Sequence, residues 1–562
     1  MICFLVAALV LLVVVDGAKP TRPNIQAHSK YNPKRARQLP ADTVGVKTLT
    51  TPQNITIRYK EPGKEGVCET TPGVNSYSGY IDLDENSHTF FWFFEARHNP
   101  KEAPITLWLN GGPGSDSMIG LFEELGPCSI TKNLTSQINP YSWTEVSNML
   151  FLSQPLGVGF SYSQEEPGSL NPITGVVENA SFAGPQGRYP VINATAIDTT
   201  ELAAVAAWHV LQGFLGGLPQ LNPNTQSKEF NLWTESYGGH YGPAFFDYFY
   251  EQNELIANGT SQGIQLNFNT LGIINGLIDE AIQVPYYPEF AVNNTYGIVA
   301  YNETVYNYAK FATHMIGGCL DQIESCRKTN RSALADFAIC TEAANLCRDN
   351  VESVYYSYGG RGAYDIRHPL DDPTPESYYA NYLNLASTSA ALGVDLNYSS
   401  TSNDDVYFAF QQTGDFVFPD FKEDLEKILN NSVRVALIYG DADYICNWFG
   451  GEAVSLAVNY TNKKEFAAAG YDPFIVDSTE YGESGHEVPY YQPKASLEMF
   501  RRTLLGLDVA NGKGKITGNF SSPGLAHATH TEPFVPLPSS TSSAAASSSS
   551  SVVKGRPRIP RS

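Results

Sequence analysis

The stretch Trp233-Thr234-Glu235-Ser236-Tyr237-Gly238-Gly239-His240-Tyr241-Gly242-Pro243 follows the strand-like run Phe230-Asn231-Leu232, and its reading decides the fold. A serine on a sharp strand-to-helix turn projects its hydroxyl above a sheet. The helix behind it offers unpaired backbone N–H groups to a developing oxyanion. The usual elbow pattern is Gly-x-Ser-x-Gly. Gly238 fills the last position, but Thr234 stands where the first glycine belongs. Ser-x-Gly also occurs in ordinary turns, so this stretch needs support from elsewhere in the chain.

That support lies downstream. Asp443 sits in Tyr439-Gly-Asp-Ala-Asp-Tyr-Ile-Cys-Asn-Trp, and His486 sits in Gly485-His-Glu-Val-Pro. The order serine, aspartate, histidine is that of an α/β-hydrolase. Short apolar runs bounded by Gly and Pro read as buried strands: Ile105 to Asn110, Asn148 to Ser153, Leu271 to Ile278 and Val433 to Tyr439. Phe474-Ile-Val-Asp reads as the start of the last strand, and Thr89 to Ala96 as one side of an N-terminal hairpin. Thr199 to Leu215 has helical spacing, and the segment after Gly242 reads as helix. Strands alternating with helices predict a mostly parallel central sheet with the chemistry at the carboxyl ends of its strands. From about 285 to 425 the chain turns rich in Tyr and Asn and reads as an inserted, largely helical cap.

Composition narrows the class. The chain has 562 residues, 42% hydrophobic and only 17% charged, with a formal net charge of -22. Such a charge repels phosphates and argues against a nucleic-acid partner. Residues 2 to 15 are almost all apolar, too few to span a bilayer comfortably, and end at Asp16-Gly17-Ala18, so residues 1–18 read as a signal peptide. No other segment reads as a membrane helix, and a secreted, extracellular protein is expected. A main domain over 19–525 follows, then a Ser/Pro-rich tail over 526–562 that cannot bury a core. The tail ends basic and polar, without the hydrophobic end that a lipid-anchor signal needs.

Glycosylation acceptors of the form Asn-x-Ser/Thr occur at Asn54, Asn133, Asn179, Asn193, Asn258, Asn293, Asn302, Asn330, Asn397, Asn430, Asn459 and Asn519. Their density suits an exported chain. Cys319-x6-Cys326 and Cys340-x6-Cys347 have symmetric gaps, which suit nested disulfides Cys319–Cys347 and Cys326–Cys340 in a helical hairpin. Zinc would favour tighter spacing. Cys68 and Cys128 remain for a third bridge, which leaves Cys446 unpaired.

Asn110-Gly-Gly-Pro-Gly-Ser, Glu123-Glu-Leu-Gly-Pro, Gln154-Pro-Leu-Gly-Val-Gly-Phe-Ser-Tyr, Glu235-Ser-Tyr-Gly-Gly and Gly485-His-Glu-Val-Pro together resemble the serine carboxypeptidases. The likeness runs from about Tyr77 to Phe500, and the Thr-Glu-Ser-Tyr-Gly-Gly variant resembles the fungal carboxypeptidase S1 group most. Ser115 departs from relatives that carry cysteine there, so the disulfide made by that cysteine is expected to be absent. The resemblance implies Ser236 as nucleophile, His486 as base and acid, and Asp443, rather than Asp441, as the carboxylate that orients His486. It implies oxyanion donors at the backbone N–H groups of Gly112 and Tyr237. The C-terminal carboxylate of a peptide substrate would be held by Asn110, Gly111, Glu124 and Glu235. Two glutamates suit that task only while protonated, so activity is expected to favour acidic pH. Glu487 would border the leaving-group pocket and favour a basic residue there, and Cys446 would lie near the active site. No cofactor and no metal are implied.

The activity expected is acid-active release of single C-terminal amino acids from peptides through an acyl-enzyme. Two other readings are an acyltransferase built on the same triad and a non-catalytic binding protein on the same scaffold. Retention of both glutamates argues against the first, and a complete triad against the second.

Overall fold

The run Phe90-Phe-Trp-Phe-Phe94 shows how the sheet is made. Alternate side chains of an extended chain point to opposite faces. Phe91 and Phe93 therefore enter one core, and Phe90, Trp92 and Phe94 the other, all fully buried. This computed structural model describes residues 44–537 except 171–176, 179–185, 192, 332, 372–373, 399–401, 518–519 and 529. The signal segment, the tail beyond 537 and the acceptors Asn179 and Asn519 lie outside the described residues.

Nine strands form the main sheet: β1 (Lys47–Thr50), β2 (Thr56–Lys60), β3 (Ser76–Asp84), β4 (Ser87–Phe94), β5 (Ile105–Leu109), β6 (Asn148–Leu152), β7 (Glu229–Glu235), β8 (Asn267–Ile274) and β9 (Arg434–Ile438). Their order is β1-β2-β3-β4-β6-β5-β7-β8-β9. The pairings from β1 through β4 to β6 are antiparallel, and those from β6 through β5, β7 and β8 to β9 are parallel. The sheet is thus mixed where a mostly parallel one was expected. Close-coupled strands such as β3 and β4 have no room for a crossover and must pair antiparallel. The α/β-hydrolase fold itself stands.

Helix α1 (Thr200–Leu221) is capped by the Thr199 side chain and packs on one face with α2 (Gly238–Ala257). Helix α1 is long and apolar enough to cross a membrane, but two thirds of its apolar window is buried in this core. The reading that no such segment follows the N-terminus missed it. Helix α2 also begins four residues before Gly242, directly behind the elbow. Ile475–Val476 is not the last strand of the sheet: among the described residues it pairs only with Thr479–Glu480. Asp477 and Ser478 adopt positive φ between them, the geometry of a tight two-residue hairpin. A second small sheet, Gln164–Leu170, Val177–Glu178 and Gln186–Val191, has no counterpart in the sequence reading.

The cap is a set of helices running from Glu280–Gln283 to Phe421–Asn430. Much of it shares a core built from Tyr287, Phe290, Tyr296, Ile323 and Tyr355. Cys319–Cys347 and Cys326–Cys340 lock helix Cys319–Arg327 against Leu334–Cys347, and Cys68–Cys128 joins two segments beside the sheet. Among the acceptors described, Asn397 is 3% exposed, with its Oδ1 accepting from the Arg188 N–H. A glycan cannot sit there, so Asn397 is withdrawn as a candidate; the other nine are exposed. The start of the tail is also not free of the fold. Glu532 N donates to Thr295 O at 2.8 Å, and Arg361 Nη2 to Val535 O at 2.9 Å.

Candidate active site

Ser236 follows β7 with φ 63°, a left-handed conformation that a side-chain-bearing residue holds only when its surroundings enforce it. Those surroundings are visible. The Ser236 N–H donates to Ile274 O, and its carbonyl accepts from Leu277 N and Gly239 N. Thr234, the odd residue of the elbow pattern, donates through Oγ1 to Gly238 O at 2.7 Å. A Cβ on Gly238 would lie 2.5 Å from Thr234 Cβ, so the glycine at the far position is what admits the threonine.

The loop after β5 comes close to the elbow. A Cβ on Gly111 would lie 2.4 Å from Tyr237 N, which only glycine avoids. Gly112 has φ 105° and lines one cleft together with Ser236 and Tyr237. Ser115 forms a backbone bridge with Ser402, and Asn403 N donates to Gly114 O at 2.8 Å. Backbone pairing therefore tethers this loop to the cap at Ser115. The ring of Tyr237 is held from the cap as well: its hydroxyl donates to Asp415, which also accepts from Thr200 N and Oγ1.

His486 Nδ1 and Asp443 Oδ2 are 2.6 Å apart, and both residues are buried. Asn275, just past β8, donates through Nδ2 to the same carboxylate oxygen at 2.7 Å and accepts from Gly440 N. The backbone N–H of His486 donates to Tyr364 O, and the two rings meet edge to face. Nδ1 is thereby engaged, which leaves Nε2 as the nitrogen free to exchange a proton. Asp441 takes the other role: Oδ1 accepts from Ser484 N and Tyr296 OH, tying two loops and the cap together.

Asn110, Glu124 and Glu235 form a buried cluster in which Asn110 Nδ2 donates to Glu235 Oε1 at 3.0 Å and Glu124 Oε1 at 3.2 Å. Asn110 Oδ1 is fixed by Trp108 Nε1 and Gly120 N, so the donor orientation of its amide is set. Oε2 of each glutamate is buried without a partner among the described residues. Burial raises the pKa of both carboxyls, and for Glu235 the charge of Glu124 adds to the effect. Glu123 is pushed up to about 8 by burial and by Glu124, and burial with Glu123 and Glu124 raises Glu487 well above the usual range. Cys446 is buried, its thiol pushed up mainly by burial, with Sγ in one group with a ligand atom each of Asp443 and His486, all within 4.8 Å.

The family model for serine carboxypeptidases matches residues 62–506. The chain belongs to the serine carboxypeptidase family. The enzyme is 41% identical to carboxypeptidase S1 homolog A of Arthroderma otae, a match covering 88% of this chain and 83% of that relative. It is 36% identical to carboxypeptidase S1 of Penicillium janthinellum, over 78% of this chain and 97% of the relative. A prohormone-processing carboxypeptidase from Saccharomyces cerevisiae has the same fold, with TM-score 0.61 and 20% identity over 83% of this chain and 99% of that one. The enzyme is a serine-type carboxypeptidase, a hydrolase.

The sequence reading named most of the residues gathered here but missed two that hold them. Asn275 and Asp415 act on Asp443 and Tyr237 through contacts across the fold. Only Asn275 left a local signal, a polar residue closing the apolar run of β8.

Proposed function

We propose that the enzyme releases single amino acids from the free carboxyl end of peptides and proteins, at acidic pH and after secretion, through an acyl-enzyme on Ser236. Ser236 Oγ attacks the last peptide carbonyl while its proton passes to His486 Nε2, and Asp443 orients the imidazole and stabilises its cation. The backbone N–H groups of Gly112 and Tyr237 receive the oxyanion. The C–N bond then breaks, His486 returns the proton to the leaving amine, and water repeats the sequence on the ester.

The observation that carries the exopeptidase reading is the Asn110–Glu124–Glu235 cluster, which ends at the residue before Ser236. Its two carboxyl groups favour the protonated form, and each keeps one unpartnered oxygen. A protonated carboxyl donates a hydrogen bond to a substrate carboxylate, whereas an ionised one repels it. Recognition is therefore present at low pH and lost as pH rises through the raised pKa values. The apolar N-terminal run, the exposed glycan acceptors and the three disulfides support export.

An N-blocked dipeptide and its C-terminal amide, compared from about pH 4 to about pH 8, separate recognition from chemistry. The free acid should be cleaved faster at low pH and lose that advantage as pH rises. Equal cleavage of the two at every pH would remove the carboxylate-binding role from the cluster.

A further inference from the structure

One short loop of the cap, residues 361–366, holds the backbone on either side of Asp443 and at His486. Ile366 N donates to Ala442 O at 2.9 Å, just before Asp443. Just after it, Tyr444 N and Ile445 N donate to Ala363 O at 2.9 and 3.1 Å. His486 N donates to Tyr364 O at 2.8 Å. The spacing of the Asp443 and His486 loops is therefore set by this one segment. It closes on itself through a backbone bridge between Arg361 and Pro369 and through Gly362 N, which donates to His368 O at 3.0 Å.

Two arginines clamp its ends. Arg367 pairs with Asp365 at 2.6 Å inside the loop and donates to Glu483 O at 3.1 Å. Arg361 is 6% exposed and reaches further. Its Nη1 donates to Ile366 O at 2.8 Å, and its Nη2 to Val535 O at 2.9 Å, beyond the main domain in sequence. The guanidinium also lies 5.6 Å from the centre of the Phe534 ring. A buried guanidinium is costly unless its N–H groups find acceptors, so the carbonyl of Val535 completes this clamp. The same segment has a second anchor, since Glu532 N donates to Thr295 O at 2.8 Å. The next residue, Tyr296, donates through its hydroxyl to Asp441 at 3.0 Å, and Val535 packs against the cap core.

We propose that Arg361 is a positioning residue of the active site and that residues 532–535 complete it: by engaging Arg361, this segment holds the loop that spaces Asp443 from His486. This rests on the triad reading. Among the described residues, those lining the cleft at Ser236 include neither Arg361 nor residues 532–535. The effect therefore belongs to the chemical step, through the geometry of Asp443 and His486, and not to substrate binding.

The test uses the full chain. Glu532→Pro with Phe534→Ala removes the N–H that bonds Thr295 and the ring beside Arg361, and Arg361→Gln removes the fork itself. On an N-blocked dipeptide, kcat should fall about threefold in the first variant and about tenfold in the second, with KM within about twofold of the parent. Combining the two should add no further loss, because the segment acts through Arg361. In hydrogen exchange, peptides covering Tyr444–Ile445 and His486 should lose protection in each variant, whereas the peptide covering Ser236 should keep it. Phe534 is 59% exposed, so the first variant carries the test alone if Arg361→Gln fails to fold. Unchanged protection at Tyr444–Ile445 and His486 in the first variant overturns the proposal. A loss confined to KM, or one that adds in full to that of Arg361→Gln, does the same. The exchange measurement needs no activity, so it stands apart from the triad reading, which fails if Ser236→Ala or Asp443→Asn keeps the parent's rate.

Discussion

The carboxyl groups around Ser236 fall into two regions with opposite surroundings. Asp443 faces donors, with His486 and Asn275 both converging on Oδ2. Glu124 and Glu235 share the single amide of Asn110 and otherwise face each other, with Glu123 and Glu487 behind them. Donors stabilise an anion, whereas burial beside another acid stabilises the neutral form. The same side-chain chemistry, brought from distant segments of the chain, is thus set for orientation of a histidine in one region and for proton-dependent donation in the other.

The sharpest break of this contrast is in the donor-lined region. Ser236→Ala should lower peptide hydrolysis by at least about a thousandfold, and Asp443→Asn by about ten-thousandfold, because the amide no longer holds His486 in the right tautomer. Both proteins should fold, and rates within a few-fold of the parent in single-turnover assays would remove these residues from the mechanism.

The acid-lined region should respond in pH rather than in absolute rate. Glu235→Gln keeps the shape and a donor but cannot ionise, so the variant should retain relatively more activity on free-carboxylate peptides near neutral pH. Superimposable profiles would show that Glu235 is not the sensor. Stability has a sign of its own. Glu123 titrates near 8 in the fold against an ordinary 4.5, so it favours folding fully below about 4.5 and progressively less up to about 8. The melting temperature should therefore fall across that window, and Glu123→Gln should flatten the decline; a decline of the same slope in the variant would assign it to other groups.

The smallest effect lies at the Cys326–Cys340 bridge of the cap. Cys326–Cys340 closes a separation of 14 residues, so replacing both by alanine should cost about 3 kcal/mol. Because Cys319–Cys347 still spans the same two helices, the loss should appear as earlier unfolding of the cap in hydrogen exchange, with kcat changed little. Loss of activity equal to that of Ser236→Ala would mean that the cap and the elbow do not behave as separate regions.

Local pattern carried the elbow, the apolar strands β5 to β9 and the order of Ser236, Asp443 and His486, because period, turn chemistry and motif spacing are properties of neighbouring residues. It misread Phe474 to Asp477 as part of the sheet, since two apolar residues look alike in a hairpin and in a buried strand. It gave Asn397 as a glycan site, because a sequon contains no information about burial. The resemblance to the family named Asn110, Glu124 and Glu235 one by one. Their raised pKa values and the hold of Asn275 and Asp415 were decided only by the tertiary structure. A pKa depends on which atoms lie within a few ångströms, and those atoms come from segments up to hundreds of residues apart.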